Sequence, residues 1–150
     1  MSSGKTADAL IAGDVFETLE FEVSEEMNES YLQAEEDFSD RYVGSVVDRL
    51  PLVHPGLLIN FSNHTRSPSF KLPPDVAAVH AREVVEFLGS AWVGDKLTVR
   101  WHVTDTFERR SRPFQVVEAV IVSPTGPAIR RLSTYTYMGG PYPGASGESK

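Results

Sequence analysis

The chain has no cysteine in its 150 residues, which removes disulfides, thiolate nucleophiles and thiolate-bound metals together. Histidine is scarce. His54, His64, His80 and His102 are the only imidazoles, and none stand at the close spacing of a zinc motif, so no metal is expected. Basic residues occur singly or in short runs such as Arg109-Arg110 and Arg130-Arg131, and the net charge is −7. Without a cationic stretch to offer a phosphate backbone, the chain is not expected to bind nucleic acid. No apolar run approaches the ~20 residues of a membrane span, and the opening segment MSSGKTADALIAGD has no apolar core long enough for a signal peptide. A cytoplasmic protein without membrane contact is expected.

What is present suits one globular domain. A hydrophobic content of 41% over this length supplies one core and leaves little for a second. The domain is expected over residues 13–138, with residues 1–12 as a flexible lead. Residues 139–150, GGPYPGASGESK, form a tail whose Gly, Pro and Ser bury too little to offset the entropy of ordering.

Residues Val15 to Val23 (VFETLEFEV) are bulky or β-favouring and predict an edge strand. Ser24 then offers an N-cap oxygen, Glu25 and Glu26 place charge where the helix dipole favours it, and Met27, Tyr31, Ala34 and Phe38 form an apolar stripe. Glu29, Gln33 and Glu36 lie on the solvated face. From Asp37 to Pro51 the pattern breaks into a loop. His54-Pro55-Gly56 opens a second helix, with proline at the first helical position, where its missing N–H costs nothing, and Leu57, Leu58, Ile59 and Phe61 make it apolar on nearly every side. After the polar connection Asn63–Pro74, strands are predicted at Arg82–Leu88, Lys96–Val103, Gln115–Val122 and Arg131–Tyr137, with turns at Gly94-Asp95 and Pro124–Pro127. The order of elements indicates an α+β fold, an antiparallel sheet of about five strands wrapped around one buried apolar helix.

Three segments in this order, SEEMNESYLQAEEDFSDRY, HPGLLINF and AVHAREVVEFLGSAWVGDKLTVRWHV, resemble the hotdog fold of the MaoC-like acyl-thioester hydratases and dehydratases. The resemblance covers roughly Gly13 to Tyr137, and VGDKLTV and the Tyr31–Ala34–Asp37 spacing are its most specific pieces. In that family an aspartate and a histidine five positions later activate water, and a backbone N–H at the start of the hotdog helix polarises the thioester carbonyl. The resemblance makes Asp37 the aspartate. Tyr42 falls where the histidine belongs, and Ser39-Asp40 replaces the asparagine-proline pair between them. A phenol, with a reference pKa of ~10, donates a hydrogen bond but is a poor general base. The Gly56 N–H, with Leu57 beside it, is the expected donor to the substrate. His54 either caps the helix, faces Asp37 across the cleft to restore the imidazole, or positions the thioester. Arg109 and Arg110 are either a surface charge group or partners for the phosphates of coenzyme A or phosphopantetheine.

The leading function implied is hydration or dehydration at an enoyl or 3-hydroxyacyl thioester, with no metal or redox cofactor and with coenzyme A or phosphopantetheine as part of the substrate. A second is a non-catalytic hotdog subunit that binds the acyl chain beside a catalytic MaoC-like partner, the class that Tyr42 suits. A third is a hotdog thioesterase using Asp37 or Glu36. A lone hotdog leaves a sheet edge unpaired, so a homodimer or a heterodimer with another hotdog subunit is expected.

Overall fold

The alternation that begins at Lys96 builds the longest strand of the sheet. The computed structural model describes residues 4–37, 39, 42 and 51–142. Within them run β1 (Leu19–Glu22), α1 (Glu25–Glu35), α2 (Pro55–Phe61), β2 (Ala77–Phe87), β3 (Lys96–Arg109), β4 (Arg112–Ser123) and β5 (Gly126–Met138). The strands form one antiparallel sheet in the order β1-β3-β4-β5-β2. Leu97, Val99, Trp101 and Val103 of β3 are all buried, beside Val117, Ala119 and Ile121 of β4. Leu57 and Leu58 of α2 belong to the same core. The expected five strands and apolar helix are therefore present. β3 and β4 run past their predicted ends at Val103 and Gln115 and meet in a hairpin that carries no glycine. Arg110 (φ 53°) and Ser111 (φ 64°) adopt the left-handed pair of a tight hairpin turn, a geometry that their side chains do not advertise.

α2 is anchored at its C-terminal end by a buried guanidinium. The same Nη1 of Arg131, on β5, donates to Ile59 O at 2.9 Å, Ser62 Oγ at 2.9 Å and Asn63 Oδ1 at 2.7 Å. Trp101 Nε1 donates to Ser62 O at 2.7 Å. These contacts gather on the carbonyls at the C-terminal end of the helix and put a positive charge where the dipole favours one. Glu83 of β2 neutralises Arg131 through two hydrogen bonds of 2.8 Å.

Three sequence expectations change. The buried residues of α1 are Asn28 and Leu32, while Met27 is 39% exposed, so the packed face is turned by one residue from the predicted stripe. Phe38, the last of that stripe, lies outside the described residues. Residues 4–12, expected to be a flexible lead, pack on the domain, because Ala7 and Leu10 are buried and their carbonyls accept from Gln115 Nε2 at 2.9 and 3.0 Å. Of the tail, Gly139 bridges to Tyr142, and the Tyr142 hydroxyl donates to Asp8 at 2.6 Å, which gives this aromatic a burial site that a Gly- and Pro-rich composition conceals. Residues 143–150 lie outside the described residues.

His64 is buried, stacked on Tyr135 at 4.1 Å and edged by Phe16 and Phe70, and neither ring nitrogen has a hydrogen-bond partner among the described residues. Burial, with the charges of Arg131 and His80, lowers its pKa from 6.5 to about 4. The folded state thus holds the neutral ring, and the unfolded chain takes up the proton first as pH falls. Stability should be intact above pH ~6.5 and should fall by about 3 kcal/mol as pH drops to ~4. Chemical denaturation of wild type and His64→Phe across this window should show that loss only in the wild type.

Candidate active site

A single buried amide organises the region between α1 and α2. Asn28, on the inner face of α1, is shielded from solvent. Its Nδ2 donates to Tyr42 O at 3.1 Å and Leu52 O at 2.9 Å, while its Oδ1 accepts from His54 N at 3.0 Å. It therefore satisfies backbone groups of two loop segments and of the residue that precedes α2. Leu52 bridges to Trp92, and Val53 N donates to Ala91 O at 2.8 Å, which sets this corner against the turn leading into β3.

His54 caps α2 with its side chain. Nδ1 accepts from Gly56 N at 2.9 Å, and Nε2 lies 3.1 Å from Asp37 Oδ2. The tautomer that satisfies both contacts carries its proton on Nε2 and donates it to the carboxylate. Asp37 Oδ1 accepts from Ser39 N at 3.1 Å. Among the described residues the carboxylate thus has one donor on each oxygen. The side chains of Asp37 and His54 are 35% and 19% exposed, so the pair is reachable from solvent yet sheltered. Two rings flank the imidazole, Tyr31 at 5.0 Å and Tyr42 at 4.8 Å between centroids. Tyr42 also lines a cavity of about 200 Å³ whose other walls include Leu52, Pro55, Leu58 and Phe87.

Of the residues singled out in the sequence, Asp37, Tyr42 and His54 come together. His54 takes both the capping and the Asp37-facing position. The Gly56 N–H does not face a pocket, because His54 Nδ1 occupies it. Neither Asp37 nor Gly56 is among the cavity-lining residues, and they adjoin it through His54, Pro55 and Tyr42. Leu57 is a core side chain, and its N–H is 3.0 Å from His54 O. Arg109 ends β3 and Arg110 sits in the following turn. At about 3.3 Å per residue, they stand roughly 40 Å along the strand from the corner that holds His54. Within one chain they are therefore not brought to Asp37. Asn28 was missed, although a polar residue four positions before Leu32, on an otherwise apolar face, was its signal. No group of three His, Asp or Glu side chains placed to hold a metal ion occurs among the described residues, and no helix among them is long and apolar enough to cross a membrane.

No family model matches the sequence, and no curated protein matches it. Solved structures do match. The MaoC-like dehydratase from Rhodospirillum rubrum superposes with a TM-score of 0.69 at 14% identity, over 90% of this chain and 97% of that one. The (R)-hydratase from A. caviae involved in PHA biosynthesis gives 0.64 at 16% identity, over 86% and 98%. A chain of the ChsH1-ChsH2 complex from Mycobacterium tuberculosis gives 0.62 at 16% identity, over 85% and 98%. The structural neighbours are thus MaoC-like hydratases and dehydratases, and this chain is a single α+β hotdog domain.

Proposed function

We propose that this protein adds water to an enoyl thioester, or removes it from the 3-hydroxyacyl thioester, with Asp37 as the general base and His54 as the residue that orients it. The observation that supports this reading is the 3.1 Å contact between Asp37 Oδ2 and His54 Nε2 at the N-terminus of the buried helix. It supplies from another part of the chain the imidazole that Tyr42 displaces. The reaction needs a base for water, a proton for the α-carbon and a donor for the carbonyl oxygen, so no metal or redox cofactor is invoked. The acyl chain is assigned to the mostly apolar cavity beside Tyr42, with coenzyme A or a phosphopantetheine arm as the carrier.

A second reading is a non-catalytic hotdog subunit. The observation in its favour is that the Gly56 amide is already taken by His54. The two readings separate in one assay, in which purified protein is mixed with a short and a long enoyl-CoA. A hydratase consumes the enoyl absorbance, a thioesterase releases free thiol, and a binding subunit does neither until a catalytic partner is added. Thiol release without hydration would sink both readings in favour of the third. In either case a second hotdog subunit, identical or not, is assigned to β2. Among the described residues that strand pairs on one side only, with β5, and Phe87 and Leu88 stand exposed at its end, where Phe87 lines the cavity. Light scattering should give a dimer or larger assembly, and a monomer at micromolar concentration that captures no partner would contradict the assignment.

A further inference from the structure

We infer that the Tyr31 hydroxyl is the hydrogen-bond donor to the thioester carbonyl, in place of a backbone amide at the start of α2. The inference rests on the acyl-thioester reading above and deepens it. It begins from an accounting of amides. Pro55 has no N–H, Gly56 N donates to His54 Nδ1 at 2.9 Å, and Leu57 N donates to His54 O at 3.0 Å. Pro55, Gly56 and Leu57 therefore offer the substrate no free donor at the start of α2, and a side chain beside that turn can meet the oxyanion instead.

Tyr31 stands over that turn, against Gly56 and His54. A Cβ built on Gly56 would lie 2.0 Å from the Tyr31 hydroxyl oxygen and 2.7 Å from the ring carbon that bears it. The phenol thus lies directly over the Gly56 Cα, and only glycine leaves room for it. Its ring leans on the His54 imidazole, 5.0 Å between centroids and tilted by 47°. Among the described residues the hydroxyl has no hydrogen-bond partner. Its position is well fixed, because Asn28, one turn earlier on α1, is tied to His54 N and Leu52 O. Burial, followed by the charge of Glu35, raises the Tyr31 pKa above its ordinary value of 10, which keeps the phenol protonated at neutral pH. Tyr42 lies against the same imidazole but lines the cavity, which makes it a wall for the acyl chain.

In the hydration direction, the water oxygen bonds to the β-carbon as Asp37 takes its proton. The C=C electron pair moves toward the carbonyl, and charge builds on the thioester oxygen. Tyr31 donates a hydrogen bond to that oxygen and keeps its proton. The α-carbon then takes the proton back from Asp37, so the net change is addition of one water.

The test uses the assembled protein and a 2,4-dienoyl-CoA, whose absorbance moves to longer wavelength when its carbonyl is polarised. In an Asp37→Asn background, which prevents turnover, the bound dienoyl thioester should show this red shift, and adding Tyr31→Phe should abolish it. In the otherwise native protein, Tyr31→Phe should lower kcat by ~100-fold, the scale of losing one oxyanion donor, with little change in KM. The ring contacts with Gly56 and His54 survive this substitution, so thermal stability should be unaltered. An undiminished red shift, or an unchanged kcat, with Tyr31→Phe would overturn the assignment. A red shift that depends on Tyr31 in a protein that never hydrates an enoyl thioester would uphold it and overturn the hydratase reading. Failure of the dienoyl thioester to bind at all would overturn both.

Discussion

Asp37→Asn should cut turnover of an enoyl thioester by ~100-fold or more, the loss expected when a general base is removed. The substitution is nearly isosteric, and the Asn side-chain oxygen can still accept from His54 Nε2 or Ser39 N, so the corner should keep its shape. What disappears is the capacity to take a proton from water. The imidazole cannot take over, because its Nδ1 lone pair is committed to the Gly56 amide and its Nε2 carries the proton that faces the carboxylate. Tyr42→Phe, by contrast, should change kcat little, since it keeps the ring that lies against His54. Rates for both variants with one enoyl-CoA check the pair. In a non-catalytic subunit, Asp37→Asn would instead leave the activity of the assembled complex unchanged.

The second large effect concerns stability. Glu83→Gln should destabilise the fold by about 3–5 kcal/mol, the range for removing one partner of a buried ion pair. The value should fall near the lower end, because the Glu83 side chain is 23% exposed whereas that of Arg131 is 5% exposed. The loss arises from leaving the guanidinium buried with no countercharge. The same group holds Ile59 O, Ser62 Oγ and Asn63 Oδ1. Denaturant titration should therefore show a strong coupling: Glu83→Leu combined with Arg131→Met should cost less than the two single changes added together. Simple additivity would mean that the pair is not a unit.

The fold was legible because its signals were periodic. Leu97, Val99, Trp101 and Val103 alternate without interruption, and the sheet buries each of them. Proline at the first position of α2 and Ser24 before α1 marked both helix starts, and the Ser24 hydroxyl does accept from Met27 N at 3.0 Å. What was not legible depends on tertiary partners. The Glu83–Arg131 pair joins residues on β2 and β5, and only the sheet register reveals it. His64 reads as an ordinary loop histidine until Phe16, Phe70 and Tyr135 close around it. At the site, Asp37 and Tyr42 stood out through the resemblance to MaoC-like enzymes and His54 by its place before Pro55. The choice between capping the helix and facing Asp37 was undecidable because His54 does both with different ring atoms. Gly56 was read for its amide, while its lack of a side chain, which admits Tyr31, is visible only in three dimensions.

The central claim is that Asp37 and His54 act as one unit, and a double-mutant cycle on turnover tests it most directly. His54→Asn is the appropriate partner change, because asparagine is a good N-cap and can hold the Gly56 amide while falling short of Asp37. If the pair acts together, Asp37→Asn, His54→Asn and the double variant should lose enoyl-CoA hydration to a similar extent, with the double variant hardly worse than Asp37→Asn alone. Losses that multiply, or hydration by the isolated protein that survives removal of both side chains, would contradict the account.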